Sequence, residues 1–216
     1  MLKSSFKTGP LLFLLLIAFN FGFSQTFVPI DSAGIRLRAF YLSENVESLW
    51  LAGHHVNWET GVPDRPTAVR SIKTHCSSFV AAVCKQKAIY ILRPPAHKAE
   101  LLASAQYKWL FSSEAYEQGW RQITENIYEK AQTLANQGYL VTAVYSNPNP
   151  KPPGHIALVM PYEQNVDSLA IEGPIMIQAG AINKNFISLK EGFKHHIVVW
   201  AAATQDILFF YNVNRI

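Results

Sequence analysis

The chain has 216 residues and a formal net charge of +4, with 49% hydrophobic and 16% charged residues. This composition is typical of a packed globular protein and excludes a disordered one. Lys3 and Lys7 contribute two of the four net charges and lie in a segment that we expect to be removed, so the mature chain carries +2. A charge so close to neutral disfavours nucleic acid as a partner.

The first residues have the pattern of a secretory signal peptide. Lys3 and Lys7 form a basic start, Leu11–Phe19 is an unbroken apolar stretch, and small residues follow at Gly22 and Ser24. This order predicts cleavage after Ser24, with the next bond as the alternative, and export to the periplasm or the medium.

An uncleaved membrane anchor is the alternative to a signal peptide. Asn20 interrupts the apolar stretch, which is short for a membrane span. We therefore expect no stable membrane insertion after cleavage. The predicted organisation is a signal peptide over residues 1–24 and one domain over residues 25–216, long enough to bury its own core.

The predicted elements of the first part of the domain are helices. Helical patterns cover Ile35–Leu51, Ala96–Leu110 and Tyr116–Asn136, with Gly138 just past the end of the last one. Glycine and proline residues mark Asn57–Arg70 as a loop. Another helix is predicted to begin near Cys76.

The second part of the chain has the pattern of strands. Apolar segments alternate there with loops that are rich in proline and polar residues. Helices followed by strands predict an α+β domain rather than alternating βαβ units. The predicted strands are Tyr139–Tyr145, His155–Met160, one within Ser168–Gln178, His196–Ala201 and Ile207–Val213.

Cys76 is the first candidate catalytic residue. It follows a polar stretch and begins an apolar helical run, with Thr74 as the predicted N-cap. The unpaired amides and the dipole at a helix start stabilise an anion, which predicts a lowered thiol pKa and a nucleophilic thiolate. A structural thiol in a helix cap is the alternative.

Cys84 has the surroundings of a core residue. It closes the apolar run Val80–Cys84, where a small hydrophobic side chain is expected to pack. Eight residues separate it from Cys76 on one predicted helix, which corresponds to a rise of about 12 Å. A disulfide between the two cysteines is not expected, because bridged Cα atoms lie within about 7 Å of each other.

His155 is the candidate general base. It stands at the start of an apolar strand, and a helix packed on a sheet can bring it to Cys76. A third polar group usually orients such an imidazole through its other ring nitrogen. Gln178, at the end of the next apolar strand, is the predicted orienting residue, and Asn183 is the alternative. Purely structural roles for His155 and Gln178 are the simpler interpretations.

These motifs resemble those of a known superfamily. The helix start Cys-Ser-Ser-Phe-Val at residues 76–80 and the strand Gly-His-Ile-Ala-Leu-Val at residues 154–159 are similar to those of the NlpC-type and CHAP-type cell-wall cysteine hydrolases. The resemblance covers Ile72 to Gly180. The segment before it and the helical insertion Ala96–Asn136 are not typical of the family in length.

The resemblance implies a papain-like α+β fold, in which a nucleophile helix packs on a small antiparallel sheet, here with extra helices. It also implies that Cys76 is the nucleophile, His155 the base and Gln178 the third member of a triad. Members of the superfamily carry His, Asn, Gln or an acidic residue at the third position. They cleave amide bonds in peptidoglycan, in the stem peptide or between muramic acid and L-alanine.

Four residues are candidates for binding substrate. Asn57 and Trp58 lie in the loop before the nucleophile helix, where they can bind a sugar or a peptide, although core packing of Trp58 is an equal alternative. Tyr145 ends the strand before the proline-rich loop and can line the cleft. Ser77 follows the nucleophile, where backbone amides can hold an oxyanion.

No cofactor or metal is expected. The pairs His54-His55 and His195-His196 are adjacent in sequence, so their two rings do not face one site on a helix or strand. No set of Cys, His and acidic residues in the sequence completes the four ligands of a zinc site.

The sequence therefore predicts an exported cysteine peptidase or amidase that acts on a peptidoglycan fragment or peptide. One alternative is a papain-like thiol hydrolase or acyltransferase that acts on another amide or on a lipid, although no basic amphipathic helix suits a lipid surface. The other is a cell-wall-binding module without turnover, although the chain keeps both Cys76 and His155. A toxin-like effector aimed at a competitor's wall is a variant of the hydrolase.

Overall fold

The computed structural model describes residues 26–65, 74–99, 102–147, 154–196 and 206–216. The predicted signal peptide lies outside these residues and stays a prediction. The helices are α1 (Ser32–Ser43), α2 (Cys76–Gln86), α3 (Leu102–Trp109), α4 (Ser113–Glu117), α5 (Ile127–Asn136), α6 (Val166–Glu172) and α7 (Leu189–Phe193). The strands are β1 (Phe27–Val28), β2 (His55–Val56), β3 (Pro63–Arg65), β4 (Trp120–Ile123), β5 (Tyr139–Tyr145), β6 (His155–Val159), β7 (Gln164–Asn165), β8 (Ile175–Gln178), β9 (Lys184–Ser188) and β10 (Leu208–Arg215).

A six-stranded sheet with the order β4-β10-β5-β6-β8-β9 organises the fold. All of its neighbouring strands run antiparallel. Two short antiparallel pairs, β1 with β7 and β2 with β3, lie outside it. The predicted α+β class is confirmed at this level. None of the helices within the described ranges combines the length and apolar character that a membrane crossing requires.

The strands place alternate side chains on the two faces of the sheet. On β6, Ile156 and Leu158 belong to one buried cluster, which includes side chains of α1, α2 and α3. Ala157 and Val159 belong to a second buried cluster, to which α5 and α7 contribute. Because helices cover both faces, every residue of β6 is buried, including His155.

Helix α2 is buried along most of its length, and this burial holds its first residue in place. Residues Cys76–Cys84 are all buried, and a helix without a polar face is stable only inside a protein. Phe79 packs edge-on against Trp50, with ring centroids 5.2 Å apart. Cys84 is fully buried in the same cluster, which confirms its predicted role in the core. Both cysteines are free thiols.

The predicted continuous helix Tyr116–Asn136 is wrong, because a strand interrupts it. Gly119 has a φ of 89°, and β4 then pairs with β10. Asn126 adopts the left-handed conformation, with a φ of 44°, directly before α5 begins. Trp120 lies within the predicted helix, but it is a buried strand residue. Gly138 follows the end of α5 with a φ of 83°, as predicted.

Two other helices are shorter than predicted or displaced. Helix α1 begins at Ser32 because the Asp31 carboxylate accepts hydrogen bonds from the amides of Ala33 and Gly34 at 2.8 and 2.9 Å. It ends before Asn45, which has a φ of 52°. The helix predicted over Ala96–Leu110 is restricted to α3.

The predicted strands correspond to β5, β6, β8 and β10, and these predictions are confirmed. The first part of the segment Ser168–Gln178 is the end of α6 rather than strand. The predicted loop Asn57–Arg70 contains β3, which pairs with β2. The sequence patterns missed β9 and α7. The predicted strand His196–Ala201 lies outside the described residues, apart from His196 itself.

Candidate active site

Cys76 is the first residue of α2, and its thiol is 95% shielded from solvent, since the residue is 5% exposed. The sulfur accepts hydrogen bonds from the Thr74 hydroxyl and from the backbone amides of Cys76, Ser77 and Ile156. Ile156 is the residue directly after His155 on β6. The Ile156 amide therefore holds the sulfur at the start of the strand that carries the predicted base.

The N-cap prediction needs one correction. His75, not Thr74, occupies the position before α2, and its side chain makes no cap hydrogen bond. The His75 carbonyl accepts a hydrogen bond from the Phe79 amide at 2.9 Å. The Thr74 hydroxyl is instead directed to the Cys76 sulfur. Thr74 therefore contributes to the site rather than to the helix cap.

The pKa of the Cys76 thiol is raised, whereas the sequence predicted that it is lowered. Burial is the largest cause, because it disfavours the charged thiolate. The hydrogen bonds from Ile156, Ser77, Cys76 and Thr74 act in the opposite direction but do not outweigh burial. The helix start is present as predicted, but the desolvation that decides the sign was not visible in the sequence.

His155 and Gln178 form a direct side-chain hydrogen bond. The Nε2 atom of His155 lies 3.0 Å from Oε1 of Gln178, and the two residues are 2% and 4% exposed. The Gln178 Nε2 group donates to the Ile182 carbonyl at 3.1 Å, which directs the amide oxygen toward the imidazole. A carboxamide oxygen only accepts, so His155 donates its Nε2 hydrogen. The Nδ1 atom then carries the lone pair that can accept a proton.

The environment of His155 favours the neutral imidazole. Burial lowers its pKa to about 4, against a smaller opposing effect of the Gln178 hydrogen bond. The Phe193 ring packs edge-on against the imidazole at 4.7 Å, and the His196 ring stacks on it at 4.9 Å. A raised thiol pKa and a lowered imidazole pKa together favour a neutral thiol and a neutral base at neutral pH, rather than an ion pair.

Asn183, the alternative orienting residue, has a different function. Its Nδ2 group donates to the carbonyls of Val46 and Leu49 at 2.8 and 2.7 Å. These bonds attach the loop after β8 to the segment after α1. The structure therefore pairs His155 with Gln178 and places Asn183 in a structural connection.

Helix α7 approaches Gln178 very closely at Gly192. A Cβ atom at this glycine would lie 2.7 Å from Oε1 of Gln178. At Gly180, a Cβ atom would lie 3.3 Å from Nε2 of Gln178 and 3.4 Å from Cε1 of His155. The two glycines thus leave room for the buried carboxamide and imidazole, and Gly192 has the tighter contact.

The four predicted substrate-binding residues lie in two different places. The Asn57 side chain accepts from the Glu59 and Thr60 amides, and Trp58 packs beside Lys85, near the end of α2 away from the thiol. These contacts stabilise the loop, and a substrate-binding role of the pair stays a prediction.

Tyr145 and Ser77, in contrast, lie beside the predicted catalytic residues. Tyr145 is the cross-strand partner of His155 in the pairing of β5 with β6. Its ring centroid also lies 6.3 Å from that of His196. The Ser77 amide is directed to the sulfur, although its carbonyl is used by the Gln106 side chain at 3.2 Å. A role of either residue in binding substrate stays a prediction.

The paired histidines do not form a metal centre within the described residues. No group of three His, Cys, Asp or Glu side chains lies together there as potential ligands. His55 instead pairs with Asp64, and His196 stacks on His155. His195 lies on the wall of a cavity beside the site.

Several residues of the site were missed by the sequence analysis. Phe193, His196 and Gly192 belong to α7 and the turn after it, and Ile182 precedes β9. The helix and strand in this part of the chain are short, and its hydrophobic periodicity is weak. The sequence patterns therefore did not point to these residues. Only the packing of α7 on β8 and β9 brings these residues to the imidazole.

Comparison with known proteins adds no family assignment. No protein-family model matches the chain, and no curated protein is similar to it at a significant level. The geometry of the site and the motifs in the sequence are therefore the basis for any functional inference.

Proposed function

We propose that this protein is an exported thiol hydrolase of the papain-like kind that cleaves an amide bond in peptidoglycan. The hydrogen bond between His155 and Gln178, next to a thiol at a helix start, is the observation that carries the proposal. This arrangement supplies a nucleophile, a base and an orienting group, which are the parts of a cysteine-hydrolase triad.

The first step is attack by the Cys76 sulfur on the carbonyl carbon of the scissile amide. His155 Nδ1 takes the thiol proton as the sulfur–carbon bond forms, and Gln178 holds the resulting imidazolium through Nε2. In this mechanism the backbone amides of Cys76 and Ser77, which donate to the sulfur in the resting protein, stabilise the negative oxygen of the tetrahedral intermediate. Because the Cys76 thiol and the His155 imidazole are both neutral at rest, the proton must move from sulfur to nitrogen during the attack.

The second half of the reaction releases the two products. The imidazolium returns its proton to the leaving amine, and a thioester remains on Cys76. A water molecule then attacks the thioester carbonyl while His155 accepts its proton. Loss of the thiolate yields the free carboxylic acid and restores the thiol and the neutral imidazole.

The choice of peptidoglycan rests on two features of the sequence. The predicted signal peptide directs the chain to the compartment that contains the wall, and the motifs resemble those of wall hydrolases. The stem-peptide bond and the muramoyl–L-alanine bond are both amides that this chemistry cleaves.

Digestion of purified peptidoglycan tests the proposal directly. The mature protein and its Cys76→Ala variant are incubated with the polymer, and released fragments are identified by mass spectrometry. We expect new fragments with the wild type alone, because only the thiol can form the acyl intermediate. The masses of the fragments identify the cleaved bond.

The negative outcomes point to different functions. If a folded wild type releases nothing but Cys76 reacts with iodoacetamide, the thiol is functional and the substrate is another amide or a lipid. If a folded wild type binds the polymer but cleaves no amide in it, the chain is a wall-binding module. Fragments released equally by the Cys76→Ala variant would exclude the proposed mechanism.

Gly192→Ala tests the role of Gln178 without changing any triad residue. The new Cβ would displace a carboxamide that is buried and hydrogen-bonded at both ends. A positioned general base contributes a factor of about 10²–10⁴ to the rate. Because the displaced Gln178 would orient His155 less well, we expect kcat to fall by part of this factor, roughly 10- to 100-fold. The measurement is the rate of amide cleavage, together with thermal unfolding of both proteins.

Gly180→Ala is the matched control for this variant. Its Cβ would meet the same carboxamide at 3.3 Å rather than 2.7 Å, so the expected loss is smaller. Equal rates for wild type and Gly192→Ala would show that displacement of Gln178 does not matter for catalysis. If Gly192→Ala also unfolded much more readily, the lower kcat would be attributed to disruption of α7 instead.

A further inference from the structure

A surface cavity of about 290 Å³ opens beside the catalytic imidazole. The side chains of His155 and Gln178 form part of its lining, and β9, α7, the turn after α7 and the loop before β9 supply the rest. Water occupies roughly 30 Å³ per molecule in the liquid, so the cavity has room for about ten water molecules. It is therefore suited to one residue of a substrate next to the scissile bond.

Lys184 is the residue that gives this cavity its charge. It is the cross-strand partner of Gln178 in the pairing of β8 with β9. Directly opposite residues of antiparallel strands share one face of the sheet, with Cβ atoms about 4.5–5.5 Å apart. The Lys184 stem therefore starts beside the carboxamide that orients the base, and its side chain lines the cavity.

The charges around the cavity leave Lys184 available for an anion. Glu191 and Lys194 both line the cavity, and they pair with each other at 2.8 Å. Among the residues that the structure describes, no carboxylate lies within ion-pair distance of Lys184. The nearby carboxylate is thus neutralised by a different lysine.

The remaining wall of the cavity is largely apolar. Ile182, Phe186 and Ile187 contribute to it, between the buried imidazole and the exposed lysine. An apolar wall, with one charged group that has no ion-pair partner among the described residues, is typical of a site that binds a short aliphatic chain with a polar end. A cation in such a site selects a chain that ends in a carboxylate.

We propose that this cavity is a specificity subsite for a free carboxylate on the substrate, and that Lys184 recognises it. This inference rests on the proposed function, because it assigns a substrate feature to the same site. It predicts that stem peptides with free carboxylates are bound better than the same peptides in which those carboxylates are amidated. Lys184 is a binding residue and takes no part in the proton transfers.

The test uses two synthetic stem peptides that differ only in amidation of their carboxylates. Calorimetry measures their binding to the inactive Cys76→Ala protein, and cleavage by the wild type is measured separately. We expect the carboxylate peptide to bind about two- to fivefold more tightly, the effect of one exposed ion pair. Lys184→Gln, introduced into the same background, is expected to abolish this preference.

Lys190→Gln is the matched control. It removes the same charge from α7, but Lys190 pairs with Glu172 at 2.9 Å and is not part of the cavity lining. The preference is expected to persist in this variant. Equal binding of the two peptides, or a preference that survives Lys184→Gln, overturns the subsite.

The two readouts separate the subsite from the hydrolase. Cleavage of both peptides with equal binding contradicts the subsite and supports the hydrolase. Carboxylate-dependent binding that needs Lys184, without cleavage, supports the subsite and contradicts hydrolysis of these peptides. Absence of both binding and cleavage contradicts both inferences.

Discussion

Replacement of Cys76 by alanine is expected to lower kcat on a stem-peptide substrate by on the order of 10⁵-fold. The thiol is the proposed nucleophile, and a residual rate without it depends only on binding and on the oxyanion amides. The substitution removes one sulfur from a buried helix start that the backbone continues to hold. The measurement is the single-turnover rate, accompanied by circular dichroism to show that the variant is folded.

Cys84→Ala is the control for the chemical change itself. It removes a second buried thiol from the same helix, but Cys84 is fully buried in the core, eight residues after Cys76. We expect kcat to be retained and the free energy of unfolding to fall by about 1 kcal/mol, as for a small core truncation. Loss of activity in Cys84→Ala with retention in Cys76→Ala would reverse the assignment of the nucleophile.

The low pKa of His155 is expected to make the protein sensitive to acid. The pKa of this group is about 4 in the folded state, against an ordinary value of 6.5. Below pH 6.5 the unfolded state binds a proton that the folded state does not, so folding stability falls as the pH falls toward 4. Each pKa unit corresponds to about 1.4 kcal/mol, which gives a total loss of about 3 kcal/mol.

Urea unfolding at a series of pH values measures this loss, with His155→Gln as the comparison. The glutamine does not titrate, so its curve lacks the His155 contribution but keeps those of carboxylates such as Asp31, whose pKa is lowered by its cap hydrogen bonds. The difference between the two curves isolates His155. Identical pH dependence of the two proteins would mean that the imidazole is not desolvated in the folded state.

The same pKa has a kinetic consequence. The proposed base must be neutral to accept the thiol proton, so kcat/KM should stay high as the pH falls below 6.5 and decline only toward about 4. A decline centred on the ordinary histidine value would indicate an imidazole that is more exposed or is paired with a thiolate. The pH profile thus distinguishes a neutral thiol–imidazole pair from an ion pair.

Local patterns in the sequence were sufficient to identify the three candidate catalytic residues. Cys76 begins an apolar run, His155 begins an apolar strand, and Gln178 ends another one. Such boundaries are readable because helix starts and strand ends depend on near neighbours in the chain. For the same reason, β5 and β6 were predicted, whereas the periodicity around Trp120 suggested helix where pairing with β10 makes a strand.

Only the tertiary structure decided the hydrogen-bond partners and the protonation states of those residues. The choice of Gln178 over Asn183 depends on which carboxamide reaches the imidazole, and the two residues are only five positions apart in the chain. The sign of the Cys76 pKa shift depends on burial by distant segments, which outweighs the local helix start. Likewise, only the register of β9 against β8 places Lys184 opposite Gln178. The sequence by itself determined the identity of the chemical groups, because these are local. Their protonation states, partners and neighbouring cavity were set by long-range packing, since desolvation and strand register arise only when remote segments meet.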